Sequence, residues 1–262
     1  MNSSRDKIIG LLRKAGSKNN GWVSGEEIAR ELHISRNAVS KNINGLRQAD
    51  YLIESIVGCG YKLVIESDSV DIAVIKSQLK TKIIGRSDWV WFEETPSTNR
   101  EAIILGADSV RDGAVIIATK QVAGRGRRGH SWFSAPRSLQ LSVLLEPHVE
   151  INEQKLTHWA MNALNDTIAH FTGISAKLKE PNDVLLNNKK VAGVLVDTLT
   201  SGGETSWFVV GIGCNVNVAK SEFPADIAEH ATSIFAECGR ILSRNDLYAH
   251  LINKLDYYVY PA

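Results

Sequence analysis

The stretch Gly124-Arg125-Gly126-Arg127-Arg128-Gly129 decides the fold through what flanks it. Gly124, Gly126 and Gly129 satisfy the G-x-G-x-x-G spacing of a dinucleotide loop. Gly124 and Gly129, followed by His130-Ser131, miss a G-x-x-x-x-G-K-[ST] phosphate loop at the lysine alone. Both motifs need a strand before and a helix after. The apolar run 114–119 supplies the strand. Past Gly129 come Trp132, Phe133 and Pro136, and then Leu139, Leu141, Val143 and Leu145 alternate with other residues, which is a strand period. Strand, loop, strand is neither nucleotide fold. Three glycines let the backbone approach a ligand closely, and three arginines offer planar cations suited to phosphate or carboxylate. As a bare pattern the stretch also fits a basic loop or an RNA-binding Arg-Gly segment. A single copy between two apolar strands is unlike a repetitive tract, however. A cationic loop folding over an anionic ligand is the expectation.

Outward from the loop, strands dominate. Residues 89–92 read as a strand running into Ser97-Thr98-Asn99, where these three read on their own as caps of the next helix more than as ligand contacts. Leu156, Trp159, Ala160, Ala163, Leu164, Ile168 and Phe171 form the apolar face of a helix over 153–171, with His158 and His170 on its polar side and Gly173 past its end. Runs at 176–179, 184–186, 190–197 and 207–212 follow, the middle pair joined as a hairpin across Asn187-Asn188-Lys189. Few helices and many hairpins argue for α+β with a mixed, largely antiparallel sheet. Asn182, Asp183 and Asn215 stand at strand ends, where ligand loops sit. Lys190 opens an apolar strand and faces either a site or solvent. Trp132 and Phe133 read alone as core.

The first 65 residues differ in character. They hold ten Lys/Arg against six Asp/Glu, a net +4, and the rest holds twenty against twenty-three, a net −3. Ile8, Leu11, Leu12 and Ala15 share a helical face. Ser24-Gly25-Glu26-Glu27 fits a capping box, and Ser35 caps a third helix to about Ala49. Val39, Ile43 and Leu46 point inward there. Arg36, Asn37, Ser40, Lys41 and Asn44 lie on the other face, with Arg47 beyond and no acid from Ser35 to Arg47. This is the pattern of a helix-turn-helix whose second helix enters the major groove, the other reading being a three-helix protein-interaction module with solvated charges. Runs at 51–57 and 61–65, joined by Gly58-Cys59-Gly60, read as a wing. Trp22 reads as a core anchor and His33 as a turn residue. The expected organisation is a winged helix-turn-helix over 1–65, a linking helix over 66–82 and a second domain over 83–262. Composition is that of a soluble globular chain, 44% apolar and 23% charged with net charge +1. No apolar run approaches membrane-spanning length, and three scattered cysteines signal neither disulfide nor zinc. A cytoplasmic protein with no membrane partner is expected.

Residues 120–134 around the loop resemble the biotin–protein ligases. Ser97-Thr98-Asn99 upstream adds to the likeness, as do Lys179-Glu180-Pro181-Asn182-Asp183, Lys190-Val191-Ala192-Gly193 and Val210-Gly211-Ile212-Gly213-Cys214-Asn215 downstream. The winged helix in front resembles the form that is both ligase and biotin-operon repressor. The resemblance implies a catalytic domain like that of class II aminoacyl-tRNA synthetases. It implies ATP and Mg²⁺ as cofactors and biotin as substrate. Biotinyl-5′-adenylate forms first, and biotin then passes to a lysine of the biotin carboxyl carrier protein of acetyl-CoA carboxylase. It further implies operator DNA as a partner and a homodimer when the adenylate is loaded. By the same resemblance Ser97, Thr98, Asn99 and Gln121 line the biotin site, with Trp132 packed beside the ligand. Arg125, Gly126 and Arg127 order over it. Lys190 holds the carboxyl and phosphate oxygens, so Arg125, Arg127 and Lys190 are the expected catalytic residues. Arg127, Arg128, Asn182, Asp183 and Asn215 are expected at the nucleotide, with the metal near Asp183. Arg127 matches the arginine whose loss lets adenylate leak.

Two departures stand out. Glu180 occupies a position that is tryptophan in the family's usual K-W-P-N-D. The chain also stops at Ala262, where the family continues into a small SH3-like barrel. The alternative expectation is therefore a biotin-sensing repressor whose ligation is impaired.

Overall fold

Two serine caps set helix starts in the first sixty-five residues. In the computed structural model the chain divides into Met1–Ser69 and Val70–Ala262. The structure describes residues 4–16, 21–49, 51–65, 69–106, 111–135, 137–147 and 151–261. In the first unit α1 (Ser4–Gly16) precedes α2 (Gly25–Leu32) and α3 (Arg36–Gln48). Ser24 Oγ accepts from Glu27 N at 3.0 Å and Ser35 Oγ from Ala38 N at 3.1 Å, satisfying amides that a helix start leaves open. His33 takes a left-handed φ of 53° and ends α2, which lets the chain turn at once into α3. Ile8, Leu12, Ile28, Val39, Ile43 and Leu46 close the core.

The wing is β1 (Leu52–Ile56) paired antiparallel with β2 (Gly60–Ile65). Arg47 ties it to α3: its Nε and Nη2 donate to Ile53 O at 2.9 and 2.7 Å, and Nη2 reaches Ser55 Oγ at 3.0 Å. Gly60 is required there. Its φ is +106°, and a Cβ would stand 2.1 Å from Val23 O. Trp22 is not the core anchor expected of it. It is half-buried with Lys62 Nζ 5.9 Å over its ring, and Val23 enters the core instead.

Of the segment 66–82, expected as one linking helix, the described residues 69–82 are helical only over α4 (Ile72–Ser77). Ile75 and Leu79 belong to the core of the second unit. That unit continues through β3 (Trp89–Thr95), α5 (Thr98–Gly106), β4 (Val115–Gln121) and β5 (Leu139–Leu145). Next come α6 (Glu153–Thr172), β6 (Lys177–Lys179), β7 (Asp183–Leu186), β8 (Lys189–Ser201) and β9 (Glu204–Cys214). It closes with α7 (Ile234–Cys238) and α8 (Arg244–Val259).

The seven strands lie in the order β3-β4-β5-β9-β8-β7-β6, with only β3 and β4 parallel. The β7–β8 turn is tight because Asn187 and Asn188 both take positive φ, 47° and 61°. Strand alternation then sorts the two faces. Leu141, Val143 and Leu145 of β5, with Val210, Ile212 and Cys214 of β9, pack beneath α6 and α8. Burial there pushes the Cys214 thiol up to about 12, so it behaves as an apolar filler. On the opposite face Leu144 and Val209 meet Ala102 of α5. That face also carries Ser142, Gly211 and Gly213. Among the described residues no helix is long and apolar enough to cross a membrane.

Candidate ligand site and nucleic-acid interface

The site is built on two glycines in β9. Gly211 and Gly213 are two apart, so both open onto the α5 face. Gly211 pairs with Ser142 on one side and Leu195 on the other. The Asn99 side chain lies across this row. Its Oδ1 and Thr98 Oγ1 are each 2.7 Å from Ser142 Oγ, and its Nδ2 donates to Leu195 O at 3.3 Å and Asp197 Oδ2 at 3.0 Å. An added Cβ at Gly211 would stand 2.0 Å from Asn99 Oδ1. Gly213 pairs with Gln140 and Gly193, and the Trp132 ring fills the slot above it, 2.6 Å from an ideal Cβ. Gln121 Oε1 accepts from Thr98 N at 2.7 Å, which joins the end of β4 to the start of α5. Ser97, Thr98 and Asn99 are all buried. These bonds make them the floor of a cavity of about 220 Å³.

The glycine-arginine loop is one wall of that cavity. It is a narrow hairpin: Gly126 N donates to His130 O at 2.7 Å, Trp132 N to Gly124 O at 2.9 Å, and Arg125 bridges Ser131. No α-helix follows it. Arg128 and Gly129 turn the tip with φ of 54° and 78°. Arg125, Gly126 and Arg127 line the cavity together with Trp132, Asn182, Asp183 and Lys190. Lys190 Nζ lies 2.5 Å from Asp183 Oδ1 and 5.5 Å above the Trp132 ring. Three cations thus surround a polar floor, set against the carboxylates of Asp183 and Asp197.

Two expected residues fall elsewhere. Arg128 is exposed and lines none of the cavities described here. Asn215 borders a second cavity of about 660 Å³ with Phe133, Ile227 and Ala231, reached past Trp132 and Lys190, which line both spaces. Asn215 Oδ1 is buried there without a partner among the described residues. An orphaned buried acceptor of this kind is uncommon. Glu180 is exposed, its Oε1 lies 3.6 Å from His158 Nδ1, and it lines a cavity beside α6 that shares Arg127, Val194 and Leu195 with the ligand cavity. Ser142, Asp197, Gly211 and Gly213 were not singled out as site residues from the sequence. The one signal for the two glycines was their Gly-x-Gly spacing inside an apolar strand.

In the first unit Arg36, Asn37, Ser40, Lys41 and Asn44 are all exposed on α3. Arg36, Ser40 and Asn44 line a groove with Ile56, Val57 and Gly58 of the wing. Arg47 is turned instead to the wing's backbone, which makes it a brace rather than a base reader.

A cation-ringed cavity over a mixed sheet, in a chain that begins with a winged helix, defines a ligand-activating domain joined to a DNA-binding module. The match is to the Biotin/lipoate A/B protein ligase family over residues 91–217 and to an HTH domain over 5–62. The bifunctional ligase/repressor BirA of Bacillus subtilis is 31% identical over 250 residues, covering 95% of this chain and 76% of that protein. Its Escherichia coli namesake is 30% identical over 257 residues, covering 95% and 74%. The biotin protein ligase of Aquifex aeolicus, solved in complex with biotin and ATP, superposes with a TM-score of 0.58 at 30% identity. That match covers 66% of this chain and 70% of the other. The chain belongs to the biotin–protein ligase family, and its relatives along nearly its whole length are the bifunctional ligase/repressors.

Proposed function

We propose that this chain activates biotin with ATP, passes it to a lysine of a biotin carboxyl carrier protein, and represses biotin genes through its winged helix. The observation that carries the reading is the convergence of Arg125, Arg127 and Lys190 on one polar-floored cavity. In the first step a biotin carboxylate oxygen attacks the α-phosphorus of ATP, the bond to the β-phosphate oxygen breaks, and pyrophosphate leaves. Two anions must meet, so fixed cations at the reacting atoms lower the barrier. Lys190 stands at the carboxylate and α-phosphate, with Arg125 and Arg127 covering them. Ser97, Thr98, Asn99 and Gln121 hold the polar ring of biotin on the floor. The second cavity takes the adenosine, with Asn215 Oδ1 as an acceptor for its amino group. In the second step the carrier's lysine nitrogen attacks the anhydride carbonyl and AMP leaves.

Among the described residues no three His, Cys, Asp or Glu side chains converge as a dedicated metal cage. Asp183, at the cavity edge, fits Mg²⁺ held mainly by substrate phosphates and water. Bound there, the ion would offset phosphate charge. Glu180 lies beside His158, in a cavity that adjoins the ligand site at Arg127. The finer reading is a cytoplasmic protein with no membrane partner. Its carrier is that of acetyl-CoA carboxylase, and it dimerises on operator DNA when loaded with adenylate.

The purified protein is expected to exchange labelled pyrophosphate into ATP only when biotin is present. Exchange that is absent, or indifferent to biotin, refutes the ligase reading. For the DNA module, Arg36→Ala or Lys41→Ala is expected to weaken operator binding. Each should flatten the slope of log affinity against log salt by about 1 for each phosphate no longer neutralised. An unchanged slope in titrations across salt would place those side chains away from the DNA.

A further inference from the structure

Asp197 sits in β8 between Val196 and Thr198, with its side chain 21% exposed. Its Oδ2 does two things at once. It accepts from Asn99 Nδ2 at 3.0 Å and lies 3.9 Å from Arg125 Nη1. Asn99 belongs to the cavity floor and Arg125 to the first arm of the loop above. We infer that Asp197 is a positioning residue that couples the two: it fixes which end of the Asn99 amide faces the ligand, and it holds Arg125 over the cavity. The inference rests on the ligase reading of this same site.

The two roles depend on different properties of the carboxylate. Orienting Asn99 needs only an acceptor. With Oδ1 beside Ser142, the Nδ2 of Asn99 must find an acceptor across the row, and Asp197 is the nearer of two. Holding Arg125 needs negative charge. An asparagine at 197 with its amide oxygen in the place of Oδ2 still accepts from Asn99 but brings no negative charge to the guanidinium. A leucine removes both functions.

Asp197→Asn is therefore expected to leave the calorimetric biotin affinity within about twofold. It should raise the rate at which in situ biotinyl-5′-adenylate leaves the protein by about two- to fivefold, the scale of a half-exposed ion pair. Asp197→Leu is expected to weaken biotin by roughly tenfold or more, because a donor in the floor loses its main partner. In an Arg125→Gln background Asp197→Asn is expected to add nothing to adenylate release, since the charge it removes has nothing left to hold. Release from Asp197→Asn as slow as wild type overturns the inference. So does acceleration that persists without Arg125, or biotin affinity surviving Asp197→Leu. If Asp197→Leu unfolds, the asparagine variant and the double variant still decide. A wild-type protein that binds no biotin at all instead refutes the ligase reading, a separate outcome.

Discussion

Replacing Lys190 by methionine is expected to lower the rate of biotin-dependent pyrophosphate–ATP exchange by about 10²- to 10³-fold, the usual loss when one preorganised donor to a developing charge is removed. The ammonium is well placed for this. Backbone bonds on both sides of the residue fix its base: Lys190 N donates to His230 O at 2.7 Å, and Thr232 N to Lys190 O at 2.9 Å. Asp183 and the face of Trp132 hold its tip. The same geometry makes the loss compound. Without Lys190 the Asp183 carboxylate faces the phosphates uncompensated, so the variant loses an attraction and gains a repulsion. Asp183 is also the carboxylate that fits Mg²⁺, so the double variant Lys190→Met, Asp183→Asn removes the repulsion and the ion's protein contact together and is expected to exchange no faster than Lys190→Met. Exchange by Lys190→Met within threefold of wild type would remove the lysine from the chemistry. A double variant clearly faster than the single would mean that Asp183 repels the phosphates and holds no Mg²⁺.

The parts legible in the sequence were those set by short-range physics. Ser24 and Ser35 announce helix starts because a cap depends on the next three residues alone. Val39, Ile43 and Leu46 announce a buried face because a helix has one period. The glycine-arginine loop could be separated from nucleotide loops because the strand period resumes at Leu139. Trp22 misled because its neighbour Val23, equally apolar, takes the core position, and only the wing's path decides between them. The linking helix was overextended: α4 stops at Ser77, and Ile75 and Leu79 are buried in the larger unit's core, a packing that the local sequence does not contain.

The site was half legible, for a related reason. Its charged residues declared themselves by chemistry, and their motif carried the family resemblance. Its scaffold did not. Ser142, Asp197, Gly211 and Gly213 lie within strands that read as apolar runs. Their importance comes from cross-strand register, which sets Ser142, Gly211 and Leu195 in one row beneath Asn99. Register is a long-range property, and no window of one strand contains it.

That row supports the second large effect. Gly211→Ala is expected to weaken biotin binding by roughly 100-fold or more while adding a single methyl group. The new Cβ would stand 2.0 Å from Asn99 Oδ1, 2.7 Å from its Cγ and 2.8 Å from its Nδ2. A surface side chain would swing away, but Asn99 is buried and held by Ser142, Leu195 and Asp197. Moving it breaks those bonds, leaving buried polar groups unpaired at about 1–3 kcal/mol each. Moving β9 instead disturbs the central strand of the sheet, at an overpacking cost of similar size. Either way the floor beneath the ligand is lost. Gly211→Ala is expected to remain folded with a melting temperature several degrees lower, consistent with a penalty of about 1–3 kcal/mol in a domain of this size. A loss of biotin affinity far larger than the loss of stability marks the glycine as a slot for Asn99. Calorimetry gives the first quantity and a thermal scan the second. Biotin binding at wild-type strength by a folded Gly211→Ala protein would mean that the Asn99 floor is not where the vitamin rests, because no arrangement of that side chain tolerates the methyl group unchanged.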